Sequence, residues 1–202
     1  MTEPAPVVHI VDDDPAVRRA LGRLLGAHGH ACEAWETAEA FLARPPSSAP
    51  GCAIVDLRLP GASGLDLQAR LAGRADGLPV IFLTGRGDVA TSVQAMKGGA
   101  VDFLTKPVEP AALLAAVEAA LARARAARDA REAETGREAR LARLTPRERE
   151  VLDRVVDGRL NKQIAADLGI AEKTIKVHRA RVMQKLEAKS LADLVRLVLG
   201  RR

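Results

Sequence analysis

At 202 residues with ordinary apolar content the chain can hold one or two domains, and no apolar run is long enough to span a membrane. One Trp, three Phe and no Tyr argue against a protein that stacks single-stranded bases on aromatic rings, and two cysteines are too few for a disulfide scaffold. Residues 1–110 carry a net charge of −3 and residues 137–202 a net +8, so a polyanionic partner is expected for the tail alone. The opening MTEPAPVVHIVDDD has neither a basic start nor a long apolar stretch, so no signal peptide is expected and the cytoplasm is the expected location.

In chain order, VVHIV (7–11) reads as a strand and PAVRRALGRLLGAHG as a helix. HACEAWE (30–36) is a weaker strand before AEAFLAR. CAIVDL, GLDLQARLAG, LPVIFLTG, VATSVQAMKGGA, VDFLTK and AALLAAVEAALARA continue the alternation, giving five strand–helix pairs in about 120 residues. That pattern predicts a doubly wound parallel sheet with ligands beyond the carboxyl ends of its strands. From Glu109 to about Arg143 the pattern is helical, with Leu114, Val117 and Leu121 as a short apolar stripe and an interruption expected near Thr135–Gly136. The last 60 or so residues read as four helices. Thr145, Pro146 and Glu148 form a capping-box start. Asn161 is expected to cap a short second helix, followed by a turn at Gly169, a third helix over 172–186, and a fourth capped by Ser190.

Asp12, Asp13 and Asp14 follow the first strand, Asp56 ends the third, Thr84 ends the fourth, and Lys106 follows the fifth. Parallel strands bring these ends to one edge, where clustered carboxylates suit a hard cation such as Mg²⁺. A lysine and a hydroxyl beside them can hold the oxygens of a transferring phosphoryl group.

HIVDDD, IVDLRLPGASGLDL, FLTGRGDV and AMKGGAVDFLTKP, with their spacing, resemble the receiver domain of two-component response regulators. The resemblance implies that a sensor histidine kinase supplies a phosphoryl group and that Asp56 accepts it. It further implies that Asp13, Asp56 and the backbone carbonyl of Arg58 are Mg²⁺ ligands, with Asp12 supporting the ion through water. Thr84 and Lys106 would bind phosphoryl oxygens, Phe103 would be the switch aromatic, Lys106–Pro107 would be cis, and the side chains of Arg58 and Arg86 would tune phosphoryl lifetime. By the same token phosphorylation would promote a homodimer through the fourth helix and fifth strand, with Val93 and Lys97 as candidate contacts.

NKQIAADLGIAEKTIKVHRARVMQKLEAKS, with LTPREREVL before it, resembles the LuxR-type helix-turn-helix, and the two modules together resemble the NarL/FixJ-type architecture of bacterial transcription regulators. The residues themselves agree. On the 172–186 helix Ile175, Val182 and Leu186 share a face that would pack on Ile164 and Leu168. The opposite face offers Lys173, Lys176, Val177, Ala180, Arg181 and Gln184 to the major groove. Lys176, Val177 and Ala180 are assigned to base edges, and Lys173, Thr174, Arg181 and Lys189 to phosphates. Ala171 stands at the helix start where a better cap is usual, so that helix is expected to fray or begin one turn late.

The expected fold is a five-stranded, flavodoxin-like α/β receiver over residues 6–121, a helical linker over 122–137 and an all-α, four-helix DNA-binding domain over 138–202. A regulator rather than an enzyme is expected, with double-stranded operator DNA as a partner and RNA polymerase as a further candidate. A haloacid-dehalogenase-like phosphatase would use a similar Asp, Thr and Lys set, but its later acidic pair is missing and Asp56 would have no role. His28 and His30 are read as a helix-end loop, Trp35 as packing, and Cys52 as a buried small hydrophobe.

Overall fold

The computed structural model describes residues 5–85 and 89–200, divided into two units between Asp129 and Ala130. In the first unit the strands are β1 (Val7–Val11), β2 (Ala31–Trp35), β3 (Gly51–Asp56), β4 (Val80–Thr84) and β5 (Asp102–Thr105). They pair in parallel in the order β2-β1-β3-β4-β5. GCAIVD and VIFLT are buried along their whole length, as strands covered on both faces require. The edge strand β2 is half open to solvent, which is why ACEAW carries so weak a hydrophobic signal.

The helices of this unit are α1 (Pro15–Ala27), α2 (Ala38–Ala43), α3 (Gly64–Ala72), α4 (Val89–Lys97) and the first part of α5 (Pro110–Ala142), which continues past the unit boundary. Ile10, Ile54 and Ile81 point to one face of the sheet and pack with Leu25 of α1 and Leu113 and Val117 of α5. Val11, Val55 and Phe82 point to the other, with Phe41 of α2 and Leu67 of α3. The buried stripe of α5 is Leu113, Ala116, Val117, Ala120 and Leu121; Val117 and Leu121 are as expected, while Leu114 is only partly covered and Leu113 takes the buried place. The expected break at Thr135–Gly136 is also absent. A helical Gly costs about 1 kcal/mol relative to Ala. The flanking Ala, Arg and Glu residues offset this, as do an Arg137–Glu134 ion pair and the hydrogen bond from Arg140 Nε to the Gly136 carbonyl at 3.2 Å.

The second unit contains α6 (Pro146–Val156), α7 (Asn161–Leu168), α8 (Glu172–Lys185) and α9 (Leu191–Leu199) around a core of Val151, Leu152, Ile164, Ile175, Val182 and Leu186. The Thr145/Glu148 capping box and the Ser190 cap form as the sequence predicts. Two details differ. Asn161 is the first residue of α7, not its cap. The side chain of Gln163 accepts the Leu160 N–H at 2.9 Å, which leaves Asn161 Oδ1 to accept from Arg179 at 2.8 Å. Helix α8 begins at Glu172 without delay although Ala171 offers no side-chain cap, because burial of Ile175 fixes the first turn and the Ala171 carbonyl accepts from Thr174 N at 2.9 Å.

Candidate functional site

Strand register assembles the acidic site. Val11 pairs with Val55, so Asp12 emerges beside Asp56; Asp56 pairs with Leu83, so Thr84 lies one step further; Thr84 pairs with Thr105, and Lys106 follows. One carboxylate oxygen from each of Asp12, Asp13 and Asp56 lies within 4.8 Å of the other two. Asp12 and Asp56 are buried and Asp13 is exposed. Asp14 stands apart from this group: it caps α1, accepting from Ala16 N at 2.7 Å.

Lys106 Nζ bridges the two buried acids, donating to Asp12 Oδ2 at 2.6 Å and to Asp56 Oδ2. Burial works against the charge on Lys106, but these two hydrogen bonds outweigh it and hold the ammonium above the ordinary lysine value. Burial also pushes the Asp12 carboxyl up, more than Lys106 and the Asp14 N–H pull it down. The other Asp56 oxygen accepts from Arg58 N at 2.8 Å, so the backbone after β3 turns this N–H toward the Asp56 carboxylate. Thr84 is fully buried, and its carbonyl accepts from Lys106 N at 2.7 Å. The Lys106–Pro107 bond is cis. Phe103 lies half-buried against the α4-side core, its ring 6.3 Å from that of Phe82. Arg58 is exposed beside the site, and Arg86 lies outside the described residues.

Two contributors were not singled out from the sequence. Arg18 Nη1 donates to the Asp12 carbonyl at 2.5 Å and so pins the end of β1 from α1. Gly64 opens α3 where a Cβ would meet the Asp56 carbonyl oxygen at 2.6 Å. Its backbone is not left-handed, unlike that of Gly61 at φ +83°, so closeness rather than turn geometry requires glycine there. The glycines of PGASGLDL were visible, but which of them lies against Asp56 was not.

In the second unit α8 buries Ile175, Val182 and Leu186 and exposes Lys173, Thr174, Lys176, Val177, Ala180, Arg181 and Gln184. Lys189, in the following turn, is exposed as well. Lys176 is paired only loosely, with Glu172 at 3.4 Å on the same helix. The helix is held from below by Arg179 on Asn161, and by Lys185 Nζ, which donates to Glu148 Oε2 at 2.6 Å and to the Arg143 carbonyl at 3.0 Å. The hydrogen bonds from Lys185 and from the Thr145 backbone bring the buried Glu148 carboxyl down to about 2. A rigidly supported helix with a basic outer face of small and medium side chains fits a major groove.

Comparison with known proteins agrees with both geometries. Residues 8–118 match the response regulator receiver domain, and residues 142–198 match the bacterial regulatory proteins of the luxR family. Nodulation protein W of Bradyrhizobium diazoefficiens is 44% identical over 191 residues, covering 95% of this chain and 84% of that protein. The transcriptional regulatory protein FixJ of Azorhizobium caulinodans is 46% identical over 199 residues, covering 98% and 94%. The solved structure of the response regulator StyR has a TM-score of 0.89 and 46% identity, with 98% of this chain and all (100%) of that one covered. Receiver domains in general bind Mg²⁺ at such an aspartate cluster and imply a sensor kinase partner, and a luxR-family domain implies DNA. The chain therefore belongs to the NarL/FixJ-type two-component response regulators, which regulate transcription and are not enzymes.

Proposed function

We propose that Asp56 accepts a phosphoryl group from a sensor histidine kinase and that this drives dimerisation and sequence-specific binding of operator DNA. The reading rests above all on Lys106, whose ammonium bridges Asp12 and the acceptor Asp56 at one strand edge. Asp13, Asp56 and the backbone carbonyl of Arg58 would hold Mg²⁺, with Asp12 supporting it through water; the all-oxygen set within 4.8 Å suits this hard ion. Bound there, Mg²⁺ supplies neutralising charge for the transferring oxygens.

The protein's own residues supply the rest. An Asp56 carboxylate oxygen attacks phosphorus, a P–O bond forms, and the bond from phosphorus to the kinase histidine nitrogen breaks. Arg58 N–H orients Asp56 for this attack. Lys106 exchanges its contact with Asp56 for one with a phosphoryl oxygen, and the Thr84 hydroxyl binds another. Phe103 follows Thr84 inward and alters the face made by α4 and β5, where the second copy docks. The paired α8 helices then read two half-sites, with Lys176, Val177 and Ala180 at base edges and Lys173, Thr174, Arg181 and Lys189 on phosphates. On this reading the receiver occupies residues 6–121, the linker 122–137 and the DNA-binding module 138–202. The protein acts in the cytoplasm, and RNA polymerase is contacted from the bound dimer.

The test is intact-mass spectrometry and DNA binding after treatment with a small phosphodonor, with and without Mg²⁺. The expected result is one Mg²⁺-dependent acyl phosphate that is absent in Asp56→Asn, together with a gain in operator affinity. Full labelling of Asp56→Asn would sink the assignment.

A further inference from the structure

The first unit contains a second concave site, along the edge strand β2 and the loop that precedes β3. It is a cleft of about 540 Å³ between β1, the edge strand β2 and the loop that joins α2 to β3. Its walls mix the apolar residues Val7, Trp35, Pro45, Pro46, Ala49 and Pro50 with the polar side chains of His9, Glu33, Arg44, Ser47 and Ser48. That volume and lining fall in the range of small-molecule sites.

Beneath the cleft lies a cluster of charge that neither phosphoryl transfer nor DNA binding uses. The guanidiniums of Arg44 and Arg74 share one carboxylate, Asp76, at 2.8 Å and 3.2 Å. Their further hydrogen bonds go to neutral carbonyls: Arg44 to Pro45, and Arg74 to Leu42 and Arg44. Arg44 also stacks over the Phe41 ring, 4.6 Å from its centre. His9 adds no positive charge of its own, because burial and then the nearby Arg44 hold its imidazole down at about 4 and therefore neutral. The cluster thus carries one positive charge in excess. Glu33, at the rim and 3.3 Å from His9 Nδ1, opposes that excess, but its side chain is more than half exposed, so water weakens its effect without removing it.

Two N–H donors of the lining side chains have no acceptor. Trp35 Nε1 and Arg44 Nε are buried without a hydrogen-bond partner, and both atoms can only donate. Both side chains line the cleft. Buried donors left in this state cost free energy, which an acceptor that penetrates the floor of the cleft to reach them recovers. A cleft with apolar patches over a cluster of surplus positive charge and unmet N–H donors suits an anion with an apolar body.

We propose that this cleft binds a small organic carboxylate with an apolar body, its carboxylate directed at Arg44 and Trp35. Trp35 is the only tryptophan in the chain, so its emission reports the site directly. The probes are cyclohexanecarboxylate, its uncharged match cyclohexanecarboxamide and the cation cyclohexylmethylamine, titrated into the full chain at constant ionic strength. Calorimetry on the same series covers the case of an unresponsive Trp35. The carboxylate is expected to bind saturably and several-fold more tightly than the amide, and the amine not at all. Glu33→Gln, an exposed change, should tighten carboxylate binding several-fold and leave the amide unaffected. Arg44→Gln should erase the preference for carboxylate over amide. Because Arg44 also anchors Asp76, Ala49→Leu serves as the variant that fills the cleft without touching the ion cluster, and it should weaken both ligands. Absence of saturable heat and emission change with the carboxylate, an equal response to all three probes, or a Glu33→Gln affinity unchanged from the parent would each overturn the proposal.

Discussion

Glu148 does two things at once. Its carboxylate closes the capping box at the start of α6 and accepts a hydrogen bond from Lys185 of α8, so one side chain fixes both a helix start and the seat of the DNA-facing helix. Its carboxyl is depressed from an ordinary value of 4.5 to about 2. A depressed acid contributes stability that is fully present above its unfolded value and is lost as pH falls through the folded one. The second unit should therefore lose stability between about pH 4.5 and pH 2. In Glu148→Gln, equilibrium unfolding at neutral pH should be weakened by about 1–3 kcal/mol, the scale of a lost charged hydrogen bond and cap, and the acid dependence should flatten. An unchanged acid slope in that variant would show that the titration belongs to another group.

At the scale of the element, α8 is set by its neighbours more than by its own sequence. Its start at Ala171 lacks a side-chain cap, yet the helix forms because Ile175, Val182 and Leu186 are buried. Ala171→Ser should then add about 0.5–2 kcal/mol of stability, read as a higher thermal midpoint of the second unit, with DNA specificity unchanged. The exposed face supports a second prediction. Lys176→Ala should reduce discrimination between operator and random DNA, a lost base contact costing about 1–3 kcal/mol. Arg181→Ala should weaken both DNAs alike and flatten the salt dependence, because one counterion fewer is released. Binding titrations across several salt concentrations separate the two; an operator-to-random ratio unmoved by Lys176→Ala would mean that another part of the face reads the bases.

At the scale of the whole molecule, the proposed function requires chemistry at one strand edge to be turned into pairing of two chains. Helix α4 presents Val93, Met96 and Lys97, three and four residues apart and exposed, with Val93 at 45% and Met96 at 47%. Neighbouring β5 carries Phe103, packed toward the α4-side core. Sedimentation of the full chain should shift from monomer to dimer on treatment with a phosphodonor and Mg²⁺, and Val93→Asp should hold it monomeric while leaving Asp56 labelling intact. A phosphorylated monomer that still gained operator affinity would rule out this route.

The sequence by itself determined the architecture, because period and punctuation are local. Continuous apolar runs at 52–57 and 78–85, Thr145-Pro146 with Glu148, and Gly169 each announce an element or its end. It also determined the chemistry of the acidic edge, since parallel strands with intervening helices must bring Asp12, Asp56, Thr84 and Lys106 together. Tertiary structure decided what depends on contacts between distant residues. Leu113 rather than Leu114 faces the sheet, because the packing of α5 sets its phase. Gln163 rather than Asn161 serves the start of α7, because Arg179 of α8 claims the Asn161 side chain. Gly64 must be glycine, because α3 starts against the Asp56 carbonyl. Arg44, Arg74 and Asp76 meet only once the α2–β3 and α3–β4 connections are folded side by side, and no local period could signal that.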